Sequence, residues 1–261
     1  MELSLKGKTA VVCGSTQGIG FACAMELALL GANCVLLARN EEKLQEAVAK
    51  LPVRDEQFHV YSVADFKEKE TVRTAITAIV AAYPIHILIN NSGGPAAGPV
   101  TEATEGSFEE TFSQHVICNQ ILTQAVIPSM KAAAYGRIIN IISTSVKTPL
   151  ANLGVSNTIR AAVAAWAKTM ANELGQFAIT VNNVLPGLTS TQRLESLVSG
   201  KSEQTGLSRN MVMSDMLAEI PARRFAEATE IGNVTAFLAS PAAAYVNGTS
   251  IPVDGGKTPS I

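Results

Sequence analysis

Residue type and spacing first point to chemistry in the run Cys13-Gly14-Ser15-Thr16-Gln17-Gly18-Ile19-Gly20. Glycines in such a run let the backbone turn tightly and approach a pyrophosphate, whose charge then rests on the amino end of the following helix. The signal gains its strength from placement, directly between an apolar strand and the first helical segment. Other reactive side chains are scattered. His59, His86 and His115 are too dispersed to suggest a metal site. Cys13, Cys23, Cys34 and Cys118 show neither CxxC nor disulfide-framework spacing, so they read as core residues of a protein in a reducing, cytoplasmic compartment.

The elements that must position this loop follow from periodicity. Short β-branched runs over residues 9–13, 33–38, 57–63, 85–90, 136–142, 179–185 and 249–253 read as strands. Between them lie helical segments over 19–30, 41–50, 67–82, 107–134, 153–177 and 229–239. Pro128 is expected to kink the fourth of these, and Thr229 to cap the last. Strands that are apolar at every position are covered on both faces, which implies a parallel sheet between helix layers. The expected fold is therefore α/β: a doubly wound Rossmann fold with a seven-stranded parallel sheet, in one domain over 1–261.

The stretch 189–222 is longer and more irregular than the other connections, and it follows the carboxyl end of a strand, where open α/β sheets bind ligands. Its apolar residues, Leu194, Leu197, Val198, Met211, Val212, Met213, Met216 and Leu217, suit a hydrophobic or acyl substrate, or else pack the segment onto the body. The chain is 47% apolar with a net charge of −2 and no basic run, which argues against nucleic-acid or anionic-membrane partners. No signal peptide and no run of the ~20 apolar residues needed to span a bilayer is visible.

Taken together with further motifs, the glycine run resembles the GxxxGIG loop of the short-chain dehydrogenase/reductase family, and the likeness extends along the whole chain. Asn90-Asn91-Ser92-Gly93 resembles that family's NNAG segment, and Asp65 the acidic residue that contacts the adenine amino group. Pro186-Gly187, followed by Thr189 and Thr191, resembles the PG turn and the threonine that binds the nicotinamide carboxamide. Ile251-Pro252-Val253-Asp254-Gly255-Gly256 is similar to the family's closing VDGG motif. The resemblance implies a nicotinamide cofactor held by Gly14, Ser15, Gln17, Gly18, Ile19, Gly20, Asp65, Asn91, Gly93, Pro186, Gly187, Thr189 and Thr191. At the end of the second strand Ala38 removes the acid that would bind a ribose 2′-hydroxyl, and Arg39 offers a donor fork for a 2′-phosphate. NADP(H) is thus preferred over NAD(H). The resemblance further implies a lid over 189–222 and a homodimer or homotetramer.

The catalytic positions depart from the family pattern. An Asn, a Ser, and a Tyr and Lys spaced as YxxxK are expected, with Tyr as proton donor. In family register Ser143 is retained, Ser156 stands in place of Tyr, Arg160 in place of Lys, and His115 in place of Asn. An aliphatic hydroxyl is a poor acid, comparable with water at about 15.7, whereas a phenol near 10 can be brought towards neutrality. Arg160, one turn after Ser156, can bind ribose hydroxyls but cannot shuttle protons. His115 is then the alternative acid–base group, because imidazole titrates near neutral pH. Three readings follow: a reductase resembling 3-oxoacyl-(acyl carrier protein) reductases with an altered proton donor, a cofactor-binding sensor or partner subunit without catalysis, or a different reaction on the same scaffold, such as lyase or epimerase chemistry.

Overall fold

Strands β1 (Thr9–Cys13), β2 (Asn33–Ala38), β3 (His59–Val63), β4 (Ile87–Asn90), β5 (Gly136–Ile141), β6 (Ile179–Pro186) and β7 (Ser250–Val253) form one sheet. The computed structural model describes residues 1–260. All pairings are parallel, in the order β3-β2-β1-β4-β5-β6-β7. The winding reverses between β1 and β4, so the carboxyl ends of these two strands flank the crevice where such sheets bind ligands.

Helices α1 (Gly18–Leu29), α2 (Glu41–Lys50), α3 (Lys69–Ala82), α4 (Glu105–Phe112), α5 (Cys118–Ala132), α6 (Gly154–Leu174), α7 (Gln192–Thr205), α8 (Arg209–Ala218) and α9 (Ala228–Ala239) connect the strands. Successive strand residues point to opposite faces, and the core divides accordingly. Val12, Leu36 and Ile89 pack with Leu27 of α1 and Leu238 of α9, whereas Val11, Leu37 and Leu88 pack with Ile76 of α3 and Leu122 of α5. Each such side chain, buried on folding, contributes about 1.5–3 kcal/mol. The doubly wound α/β fold expected from the sequence is therefore the observed one.

Three expectations need correction. The helix expected over 107–134 is two helices, α4 and α5, joined by a wider π turn at Ser113–Ile117 that contains His115, and it begins at Glu105. Apolar residues continue through the turn at Val116, Ile117 and Cys118, so residue type does not mark the switch from α to π hydrogen bonding. The last helix is capped by Glu227, not Thr229: Glu227 and Glu230 exchange side-chain bonds with each other's backbone amides. The stretch 189–222 is not irregular, since it folds into α7 and α8. Leu194, Val198 and Val212 bury one another there with Met213 and Met216 packed against them, so most of the apolar stripe serves the segment's own small core.

One buried row of the sheet is polar. Asn90 donates to Asn140 Oδ1 at 2.9 Å, Asn140 to Asn183 Oδ1 at 2.9 Å, and Asn183 to Ser250 Oγ at 3.0 Å. These four residues face one another in the β4-β5-β6-β7 register. A primary amide both donates and accepts, so one type of side chain can bridge successive strands about 4.8 Å apart.

Candidate active site

The amino end of α1 is shaped for close approach. A Cβ on Gly20 would lie 2.1 Å from the Gly14 carbonyl oxygen, and one on Gly14 would lie 2.7 Å from the Asn91 carbonyl oxygen. Gly18 adopts φ +55° and lies under Thr191, whose methyl group would be 3.3 Å from an added Cβ. No side chain caps α1 and no acid stands in its first turn, so the helix amides and their partial positive charge are left for an anion. Ser15 Oγ is fully buried without a hydrogen-bond partner, while Gln17 is exposed and Ile19 half-buried. A glycine cradle, a free helix end and an orphaned hydroxyl fit the pyrophosphate of a dinucleotide.

The other cofactor-side residues surround this loop. Arg39 is exposed just beyond β2, and its charge is felt by Lys67. Asp65 follows β3, where its carboxylate accepts from the Lys67 amide at 3.0 Å. Asn91 donates to the Cys13 and Gly14 carbonyls at 3.2 and 3.3 Å, tying the loop to β4. Sequence reasoning gave this side chain to the cofactor without seeing its hold on the loop. Gly93 is exposed, with nothing near where a side chain would stand. Pro186 ends β6 and Gly187 bonds to the Val253 carbonyl, bringing the turn beside β7. Thr189 is buried and bonded to the Gly187 carbonyl at 3.1 Å, and Thr191, whose hydroxyl donates to the Thr189 carbonyl at 3.2 Å, stands at the entry to α7 over Gly18.

The four residues expected at the catalytic positions lie just beyond β5, on α6 and in the π turn. Ser143, half-buried beyond β5, accepts from the Ser145 amide at 3.1 Å. Ser156 is half-buried in the first turn of α6. Arg160, one turn later, is buried, and its Nη1 donates to the Ile141 carbonyl at 3.0 Å, beneath the strand end that leads to Ser143. Burial and the charge of Arg193 push its pKa down to about 10, so it stays cationic at neutral pH. His115 is buried in the π turn with Nδ1 2.8 Å from Ser92 Oγ, and its Nε2 is buried without a partner. Burial, then the Arg160 charge, push its pKa down to about 2. His115 is therefore a neutral imidazole at physiological pH. Its partner Ser92 was missed as a site residue, although it stands where the family motif has alanine.

No tyrosine replaces the expected proton donor. Tyr61 bonds to Glu41 and Tyr83 packs against Phe58. Tyr135 bonds to the Ala239 carbonyl, and Tyr245 is fully exposed. A cavity of about 330 Å³ lies within the 189–222 segment, lined by Thr191, Leu194, Val198, Met213 and Phe225 among others. No helix among the described residues is long and apolar enough to cross a membrane.

Comparison with known proteins agrees with this geometry. The family model described as enoyl-(acyl carrier protein) reductase, a short-chain dehydrogenase/reductase model, matches residues 14–258. The 3-oxoacyl-(acyl-carrier-protein) reductase of Pseudomonas aeruginosa is 32% identical over 97% of this chain and 98% of its own. The crystal structure of L-sorbose reductase from Gluconobacter frateurii, complexed with NADPH and L-sorbose, superposes over 100% of both chains with a TM-score of 0.93 at 29% identity. YwfH, an NADPH-dependent reductase involved in bacilysin biosynthesis, superposes with a TM-score of 0.90 at 29% identity, over 97% of this chain and 99% of its own. With the glycine cradle, the strand order and a near full-length match in agreement, this chain belongs to the short-chain dehydrogenase/reductase family and is an NAD(P)-dependent oxidoreductase of that type.

Proposed function

We propose that this protein is an NADP(H)-preferring carbonyl reductase whose proton donor is not a tyrosine, and that a 3-oxoacyl thioester is the first model substrate to test. One observation carries the reading: the phosphate cradle is intact while a buried, cationic Arg160 lies beneath the strand end that leads to Ser143. Gly14, Ser15, Gln17, Gly18, Ile19 and Gly20 hold the pyrophosphate, and Arg39 the 2′-phosphate. Asp65 faces the adenine. Asn91 and Gly93 border the ribose side, Arg160 bonds its hydroxyls, and Pro186, Gly187, Thr189 and Thr191 hold the nicotinamide end. When bound, that cofactor supplies a hydride to the carbonyl carbon.

The chain's own groups act on the carbonyl oxygen. Ser143 orients it by a hydrogen bond, and the fixed charge of Arg160 stabilises the negative charge that develops there. The proton comes from solvent by way of the Ser156 hydroxyl, because His115, with its pKa near 2, carries no imidazolium proton to give. His115 takes part as a neutral hydrogen-bonding group paired with Ser92. Residues 189–222 close over the substrate, and the chain works as one domain. Ala161 and Ala165 leave an exposed small-residue face on α6, which supports a homodimer or homotetramer. Buried free thiols suit the cytoplasm.

NADPH oxidation with acetoacetyl and longer 3-oxoacyl thioesters tests the reading. Turnover that falls at least about a hundredfold in Ser143→Ala, with NADPH affinity unchanged, is expected. The absence of any tyrosine from the cleft favours a second reading, a cofactor-binding sensor or partner subunit. Micromolar NADPH binding without turnover of any carbonyl would select it.

A further inference from the structure

Arg160 and Arg193 converge on Gly94. Their Nη2 atoms lie 3.7 and 3.8 Å from where a Gly94 side chain would begin. We propose that these two guanidinium groups receive a carboxylate carried by the substrate itself, close to the carbonyl that accepts the hydride. The inference rests on the reductase reading and puts a free oxo acid in place of the thioester as the compound that enters the cleft.

Charge balance is the first support. Arg73, Arg209 and Arg224 each have a carboxylate partner, Glu70, Glu195 and Glu230 respectively. Arg160 and Arg193 form no ion pair among the described residues. The other buried unpaired arginine, Arg137, is bonded to the carbonyls of Gly136, Ala178 and Ser240, whereas Arg160, more than nine-tenths buried, has a single carbonyl partner. The acid nearest Arg193 on α7, Glu195, is engaged by Arg209 and cannot neutralise it. Two like charges held together, one of them out of water, are unfavourable until an anion arrives.

Geometry is the second support. Each guanidinium is anchored by a backbone carbonyl, Arg160 by Ile141 at 3.0 Å and Arg193 by Pro95 at 2.9 Å. A guanidinium has five N–H donors, so beyond the anchoring carbonyls and the ribose hydroxyls assigned to Arg160, donors remain on both forks for a carboxylate. Glycine at position 94 keeps the space between the two forks open. Arg160 also approaches His115, whose Nε2 is buried and unpartnered, so the anion would enter a site with further unused hydrogen-bonding capacity. Ser143 lies two residues beyond the carbonyl that anchors Arg160, so the proposed carboxylate site and the carbonyl-orienting hydroxyl share one strand end.

A phosphate of the dinucleotide would satisfy the same chemistry, so the test separates the two sources. Calorimetry on the NADP⁺-loaded protein would compare acetoacetate and phenylpyruvate with their methyl esters. Each acid is expected to bind at least about tenfold more tightly than its ester. Arg193→Gln, an exposed position, should abolish that difference and change NADPH affinity less than about twofold. Acids that bind no better than esters, or an Arg193→Gln protein that keeps the preference, would overturn the inference. So would a loss of NADPH affinity as large as the loss of acid affinity, because the pair would then serve the cofactor. Acids outbinding esters in a protein that never oxidises NADPH would support the anion site while removing the reductase reading.

Discussion

Asn90 and Ser92 stand two residues apart at the end of β4 and lead into two buried polar clusters built on opposite principles. From Asn90 an amide ladder crosses four strands to Ser250, each rung a paired donor and acceptor between 2.9 and 3.0 Å, with Asn90 Oδ1 at its end left without a partner. From Ser92 the contacts run to neutral His115, and Arg160 lies close enough for its charge to depress that imidazole. That second cluster holds a buried cation without a counter-ion and an imidazole nitrogen without a partner. A polar network paired at every rung fixes strand register and stabilises the fold. An unsatisfied one costs stability, and such groups persist where a ligand completes them. The difference separates a row of the sheet that pairs its own polar groups from a cluster that leaves a cation and an imidazole nitrogen unpaired.

Substitutions can break that contrast, and the largest effect belongs to the cradle that both clusters border. Gly20→Val places a branched side chain against the Gly14 carbonyl, so NADPH binding should be lost and stability reduced by about 3 kcal/mol. Calorimetry and urea denaturation read the two effects. Asn140→Leu strands a donor on Asn90 and an acceptor on Asn183, at about 1–3 kcal/mol for each buried group. A urea midpoint within error of the wild type would show that the ladder is not structural.

The acid limb of stability sharpens the comparison. The folded His115 pKa is near 2 against an ordinary 6.5, so only the unfolded chain takes up this proton between those values. Stability then falls as pH drops below 6.5, by up to about 1.4 kcal/mol per pH unit from this residue. Burial also lowers the His86 pKa, so part of the acid loss belongs there. His115→Asn should therefore lose about 2 kcal/mol less than the wild type between pH 7 and 5, as read by urea melts at both values. The smallest change is expected from Arg160→Met. Replacing an unpaired buried cation by an apolar side chain should leave stability within about 1 kcal/mol of the wild type or raise it, in contrast to Asn140→Leu. A loss of 3 kcal/mol or more would make Arg160 part of the scaffold.

Much of the fold was legible in the chain. Strands β1 and β2 and helix α2 begin and end where the apolar pattern places them, because alternation and helical periodicity are local properties of the sequence. The glycine loop was legible for the same reason: Gly14, Gly18 and Gly20 act through their own backbone and their immediate neighbours. The π turn at His115 was not, since apolar residues run through it and the switch in backbone bonding leaves no mark in residue type. Nor was the amide ladder, whose members are 50, 43 and 67 residues apart along the chain and meet only through strand register.

The sequence by itself determined the winding of the sheet, the cradle at the head of α1 and the chemical types available at Ser143, Ser156, Arg160 and His115. Only the tertiary structure decided which of these groups carry charge. Burial beside Arg160 turned a histidine that titrates near neutrality into a neutral imidazole, and the approach of α7 set a second guanidinium beside the first. Desolvation and Coulomb fields depend on what surrounds a group in space, and the order of residues does not state that.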